Sequence, residues 1–260
     1  MQPETPFLRN SRPLPGRQLR KIGERHRVFQ TSLVAALLDG VYDGDMRIGD
    51  LLGQGDFGLG TFNALDGEMI VLESLCYRLR ADGTATPVAP GELTPFAIVT
   101  DFVPDIVAEV PPDTTPPDLA ELITSLTGTK NYLLAARITG RFAEVSVRNV
   151  VRQERPYRPL AEVTRGEPVI RMAPVEGVMV GFQTPAFERG IGVPGGHLHF
   201  IDAARSRGGH VLDFIVLAAT VELCLGTDLH LALPLTADFH SADLAPPDLD
   251  AQVEATERHQ

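Results

Sequence analysis

"GGHLHFIDAARSRGGHVLDF", residues 195–214, decides how the second half of this chain folds. Successive side chains on a β-strand point to opposite faces, so His197 and His199 share one face while Leu198 and Phe200 share the other. "DAARSRGG" is polar and ends in glycines, which reads as a hairpin turn. Folding the hairpin about residues 204–205 sets position 199 opposite position 210, and directly opposed side chains start about 5 Å apart. Three of the seven histidines in the chain therefore converge: His197, His199 and His210. Three imidazoles with one position left open form the usual ligand set of a catalytic divalent cation, most simply zinc. Neutral imidazole also suits iron, nickel or copper.

No cysteine accompanies the three histidines, which argues against a closed structural zinc knot. The His-x-His pair by itself also occurs in cupins. That family's motif asks for Glu four or five residues after the second histidine and for Gly six before the first; the chain has Ala203, Ala204 and Ile191 there.

The segments flanking the hairpin are also strand-like: "VIRMAPVEGVMVGFQTP" (169–185) and "VLDFIVLAATVELCLG" (211–226). Upstream, "EMIVLESLCYRLR" (68–80) between two "DG" pairs reads as a hairpin or meander, and "TPFAIVTDFVP" (94–104) as a further strand. "YLLAARITGRFAEVSVRNVVRQ" (132–153) reads as two antiparallel strands joined around "TGR". Helical spacing is rarer. Val28, Leu33, Leu37 and Val41 predict a helix ending near Gly40, and "LAELITSLTG" (119–128) predicts a second one, started by Asp118 or the proline-rich turn before it. "PDLDAQVEATERHQ" (247–260) predicts a short terminal helix or tail. Few helices among many strands, without βαβ alternation, point to an α+β fold.

The totals agree. A chain of 260 residues with 43% hydrophobic content can bury a substantial core. No run of eighteen apolar residues exists to cross a membrane, and a net charge of −11 argues against nucleic acid as a partner. Residues 1–27 hold six Arg and one Lys against two Glu and read as a basic, flexible leader. The irregular stretch 155–168 marks a boundary between an N-terminal domain, 28–165, and a β-rich metal-binding domain, 166–260. The two cysteines, Cys76 and Cys224, lie in apolar runs and read as buried thiols, consistent with a cytoplasmic chain.

Taken together, "FQTSLVAALLDGVYDGD", "GDFGLGTFNALDGEMI", "RQERPYRPL", "GFQTPAFERGI", "GGHLHFI" and "GGHVLDF" resemble the bacterial acetolactate decarboxylase family, in family order and over nearly the whole chain. The resemblance implies two α+β domains, a mixed sheet in the first and a curved or barrel-like sheet in the second, with the metal at their junction and a homodimeric assembly. It implies zinc on His197, His199 and His210, and decarboxylation of 2-acetolactate to acetoin. It places catalytic roles on Glu68 in "LDGE", Arg148 in "SVRNV" and Glu257 in "EATER", and a substrate-lining role on Thr61 in "GTFN". Glu254, one helical turn before Glu257, and Arg152, on the same strand face as Arg148, are the alternatives. The position before His197, often Tyr in the family, is Gly196, which widens the pocket or removes a hydrogen bond.

The chemistry suits such a site. Acetolactate is a β-keto acid, and losing CO2 drives an electron pair toward the ketone oxygen. Zinc chelating the hydroxyl and ketone oxygens would stabilise the enediolate, which a glutamate then protonates. No Schiff-base lysine, thiamine or pyridoxal cofactor is needed, and Lys21 and Lys130 are the only lysines. Two rivals remain on the sequence alone: another mononuclear metalloenzyme, such as a hydrolase or an iron oxygenase, and a non-catalytic module stabilised by its metal.

Overall fold

A computed structural model describes residues 26–257; the basic leader expected over residues 1–27 lies, up to residue 25, outside the described residues. The strands fall mainly into two sheets. Numbered along the chain, the first runs in space β15 (Asp228–Ala232), β1 (Arg27–Thr31), β8 (Ala97–Thr100), β3 (Phe57–Thr61), β4 (Glu68–Leu72), β5 (Leu75–Leu79) and β6 (Ala85–Pro87). The β1–β15 pair is parallel and the others are antiparallel, so this sheet is mixed. The second runs β11 (Ile170–Met172), β10 (Leu133–Arg148), β12 (Val175–Thr184), β13 (Gly195–Asp202), β14 (Gly208–Gly226) and β9 (Ile106–Val110). Its long strands β10 and β14 also pair with each other, so β10, β12, β13 and β14 close into a ring. A small two-stranded sheet joins β2 (Met46–Arg47) to β7 (Leu93–Thr94).

Helices are short: α1 (Val34–Leu38), α2 (Ile48–Leu52), α3 (Pro116–Thr127), α4 (Leu160–Val163), α5 (Ala237–Ser241) and α6 (Leu249–Glu257). The fold is α+β with a curved second sheet, as the sequence predicts. None of the described helices is long and apolar enough to cross a membrane. The expected division near residue 165 runs between β10 and β11 of one sheet. Strands β9 and β10 from its N-terminal side belong to the second sheet, and β15 from its C-terminal side belongs to the first.

Two local expectations differ. Residues 27–31 form β1, and only 34–38 are helical. The strand wins because β1 is flanked by both β8 and β15, giving its backbone groups partners on two sides. Ser32, at φ 65°, then turns the chain into α1. The second difference is β10, which is one continuous strand and not a hairpin about "TGR". Gly140 is there because another backbone comes close: a Cβ on it would sit 2.3 Å from the Ala218 carbonyl oxygen. The helix predicted near 119–128 is α3, opened by a reciprocal cap between Thr115 and Asp118.

Inside the ring, Phe142 packs edge-on against Phe200 and Phe214, with centroids 5.8 and 6.2 Å apart. A separate cluster lies between the two sheets, joining Phe57, Leu59 and Ile70 of the first to Val180, Phe182 and Ile201 of the second. This interface rigidly ties β4 to β13, and both strands carry residues of the site described next.

Candidate metal centre

The hairpin holds its register through local bonds. Asp202 accepts from the Ser206 and Arg207 backbone N–H groups at 2.7 and 3.1 Å, and its own N–H donates to the Arg207 carbonyl. That turn sets His199 opposite His210, as the sequence spacing predicts. His197 Nε2 lies 3.1 Å from both His199 Nε2 and His210 Nδ1. A tetrahedral site with bonds of about 2.05 Å has ligand–ligand edges of roughly 3.3 Å, so these nitrogens fit around one small divalent cation.

Protonation favours the same reading. His199 Nδ1 lies 2.8 Å from the Met69 carbonyl oxygen, which only accepts, so Nδ1 carries the proton and Nε2 presents its lone pair to the cluster. Burial, then the neighbouring His197 and Arg148, hold His199 well below its usual pKa. Burial and Arg148 hold His197 down to about 4. Neutral imidazoles are the form that binds a metal.

Glu68 opens β4 opposite Thr61 on β3, and its Oε2 lies 3.7 Å from His199 Nε2. Residues 68 and 69 thus both approach the His199 ring, Met69 through a hydrogen-bonded carbonyl and Glu68 through a carboxylate beside Nε2. The Thr61 hydroxyl donates to the Gly67 carbonyl at 2.8 Å. Arg148 ends β10 opposite His210 and is buried. It donates to the Thr256 carbonyl of α6 and lies 3.9 Å from Glu167. Arg152, expected on the same strand face, lies beyond the end of β10, is exposed and reaches toward Asp66 at 3.8 Å. The structure therefore brings Thr61, Glu68 and Arg148 to the histidines and leaves Arg152 outside. The side chains of Glu254 and Glu257 lie outside the described ones, although both residues belong to α6.

That helix folds back over the site. Val253 packs with Val34, Leu38 and Leu160 from α1 and α4. A cavity of about 50 Å³ results, with Thr61, Glu68 and His197 on its polar side and Leu38, Phe96 and Val253 on its apolar side. Gly196 is exposed, and a Cβ there would meet nothing within 4 Å. The sequence reading missed Glu167. It sits in the irregular connector with no periodicity to flag it, yet it is buried beside Arg148, and burial pushes its carboxyl up to about 7 against the pull of that guanidinium.

Comparison with known proteins gives a consistent result. Residues 28–246 match the family model described as alpha-acetolactate decarboxylase. A relative of that name from Bacillus subtilis is 44% identical over 88% of this chain and 90% of its own length. One from Methylococcus capsulatus is 43% identical over 85% of each. The crystal structure of the Bacillus subtilis alpha-acetolactate decarboxylase superposes with a TM-score of 0.87, covering 90% of this chain and all of that one. A Staphylococcus aureus protein, described as of unknown function and similar to this family, superposes at 0.85 with 28% identity.

Proposed function

Because the chain belongs to the alpha-acetolactate decarboxylase family and is a carboxy-lyase, we propose that it converts 2-acetolactate to acetoin at a zinc ion held by His197, His199 and His210. The observation that carries this reading is three imidazole nitrogens mutually within 4.8 Å, beside Glu68 and a small cavity. A cation held by these three histidines would act as a Lewis acid, supplying positive charge for the oxyanion that develops as CO2 leaves.

The chain's own groups do the rest. Arg148, buried beside the histidines, receives the substrate carboxylate before CO2 leaves; its bond to the carbonyl of Thr256, a residue that lines the cavity, fixes the guanidinium. The Thr61 hydroxyl spends its proton on Gly67, so it offers lone pairs to the substrate hydroxyl. Glu68 holds the proton that is delivered to carbon after decarboxylation, with Glu257 as the second candidate donor. The apolar wall of Leu38, Phe96 and Val253 lowers the local dielectric on one side of the cavity and so strengthens the interactions of the charged groups there. The homodimeric state implied by the family belongs to the same proposal.

Racemic acetolactate and elemental analysis test the assignment together. Wild type should form acetoin, and His199→Ala should lose both one equivalent of zinc and acetoin formation. Acetoin formation at the wild-type rate by metal-depleted His199→Ala would reject the site.

A further inference from the structure

We propose a second metal site, distinct from the histidine hairpin, formed by His26, Asp105 and Cys224. One ligand atom from each lies within 4.8 Å of the others. His26 Nε2 and Asp105 Oδ1 are 3.6 Å apart, within ion-pair reach. That spacing is close to the edge, roughly 3.4 Å, of a tetrahedron with bonds of about 2.1 Å. A thiolate, an imidazole and a carboxylate form a borderline-soft donor set, which selects zinc over magnesium or calcium. Cys224 is fully buried at the inner end, whereas the side chains of His26 and Asp105 are 10% and 14% exposed. Solvent thus has an entry path and can supply a fourth ligand.

Backbone bonds around residues 223–228 hold all three residues in place. The Asp105 N–H donates to the Leu223 carbonyl at 2.8 Å, and Asp105 Oδ2 accepts from the Leu225 N–H at 2.9 Å, so Asp105 is fastened on both sides of Cys224. The His26 carbonyl accepts from the N–H groups of Thr227 and Asp228 at 3.0 and 3.2 Å, and its N–H donates to the Thr227 hydroxyl at 3.0 Å. Of the ligand side chains, Asp105 is thus oriented by an outer bond, as metal-binding carboxylates commonly are, while His26 and Cys224 are positioned through their backbones.

Position indicates the role. Cys224 sits near one end of β14 and His210 near the other, so this cation does not face the substrate cavity. It joins the start of β1 in the first sheet to the ends of β9 and β14 in the second, at the corner where β14 passes to β15. A cation bound there only in the folded state stabilises the junction of the two sheets by mass action.

The test uses tag-free full-length protein and zinc or cobalt alone as the probe. Cys224→Ala and His26→Ala should each lose one equivalent of zinc relative to wild type while keeping the circular dichroism spectrum and acetoin formation. Cobalt-loaded His199→Ala should show a thiolate-to-cobalt charge-transfer band in the near ultraviolet, absent from the His199→Ala/Cys224→Ala pair. Zinc should raise the melting temperature of the first and not of the second. The hairpin histidines bring no sulfur, so the band reads this site whatever happens at the other. Unchanged zinc content in Cys224→Ala, or no cobalt–thiolate band in His199→Ala, overturns the proposal.

Discussion

His199 is buried with one nitrogen committed to Met69 and the other turned toward Glu68 and its two fellow imidazoles. Glu68, with its Oε2 3.7 Å from His199 Nε2, can be altered without removing a proposed metal ligand. Glu68→Gln should keep its zinc and lower kcat by about 10²- to 10⁴-fold, the usual worth of a positioned general acid; parallel metal analysis and single-turnover acetoin formation would check it. Glu167 gives a different prediction. Its folded-state pKa, about 7, is raised above the ordinary 4.5, so the folded state holds a proton that the unfolded state has released. Stability from this group is present below pH 4.5 and is lost as pH rises toward 7, by an amount of order 3 kcal/mol. Glu167→Gln removes that titration. Melting temperatures measured from pH 5 to 8 should fall more steeply for wild type than for the variant; parallel curves would count against it.

At the scale of elements, the site depends on a hairpin, a strand end and a helix that meet from distant parts of the chain. The hairpin is tightly nested against β10: a Cβ on Gly209 would lie 2.6 Å from Asn149 Oδ1 and 2.9 Å from the Arg148 carbonyl oxygen. Gly209→Ala should therefore move Arg148 and His210 apart, costing about 1–3 kcal/mol of stability and most of the activity. Chemical denaturation alongside an acetoin assay would measure both. Helix α6 acts as a cover, through Val253 against α1 and α4 and through Thr256 to Arg148. Deleting residues 250–260 should lower turnover at least tenfold, because it removes one cavity wall and the hydrogen-bond acceptor for Arg148. It should leave zinc on the hairpin histidines. Undiminished turnover, measured with zinc content on the same sample, would deny α6 that function.

Over the whole molecule, the two sheets share a core; the hairpin cation joins two adjacent strands of one sheet, and the cation proposed at His26, Asp105 and Cys224 joins the two sheets. Removing metal with a chelator should lower the melting temperature of wild type, more than it lowers that of His199→Ala, and readdition of zinc should restore it; a chelator-insensitive melt would contradict this. The hairpin of histidines, the helix α3 and the strand pair within residues 68–80 were legible because their partners lie within a few residues, where strand alternation, helical spacing and turn chemistry decide; the Thr115 cap that opens α3 was not read. The single strand through Gly140 was not legible. Glycine marks a turn and a close backbone approach alike, and only the neighbour β14 tells them apart. The amino-acid sequence by itself thus determined which imidazoles face each other and which family the chain resembles. Tertiary structure alone decided that Met69 sets the His199 tautomer, that Arg148 and not Arg152 is buried beside the histidines, and that Glu167 and α6 close around them. Most of these contacts join residues far apart in the chain, 130 positions for Met69 and His199 and 108 for Arg148 and Thr256, and their energies depend on burial that no local pattern encodes.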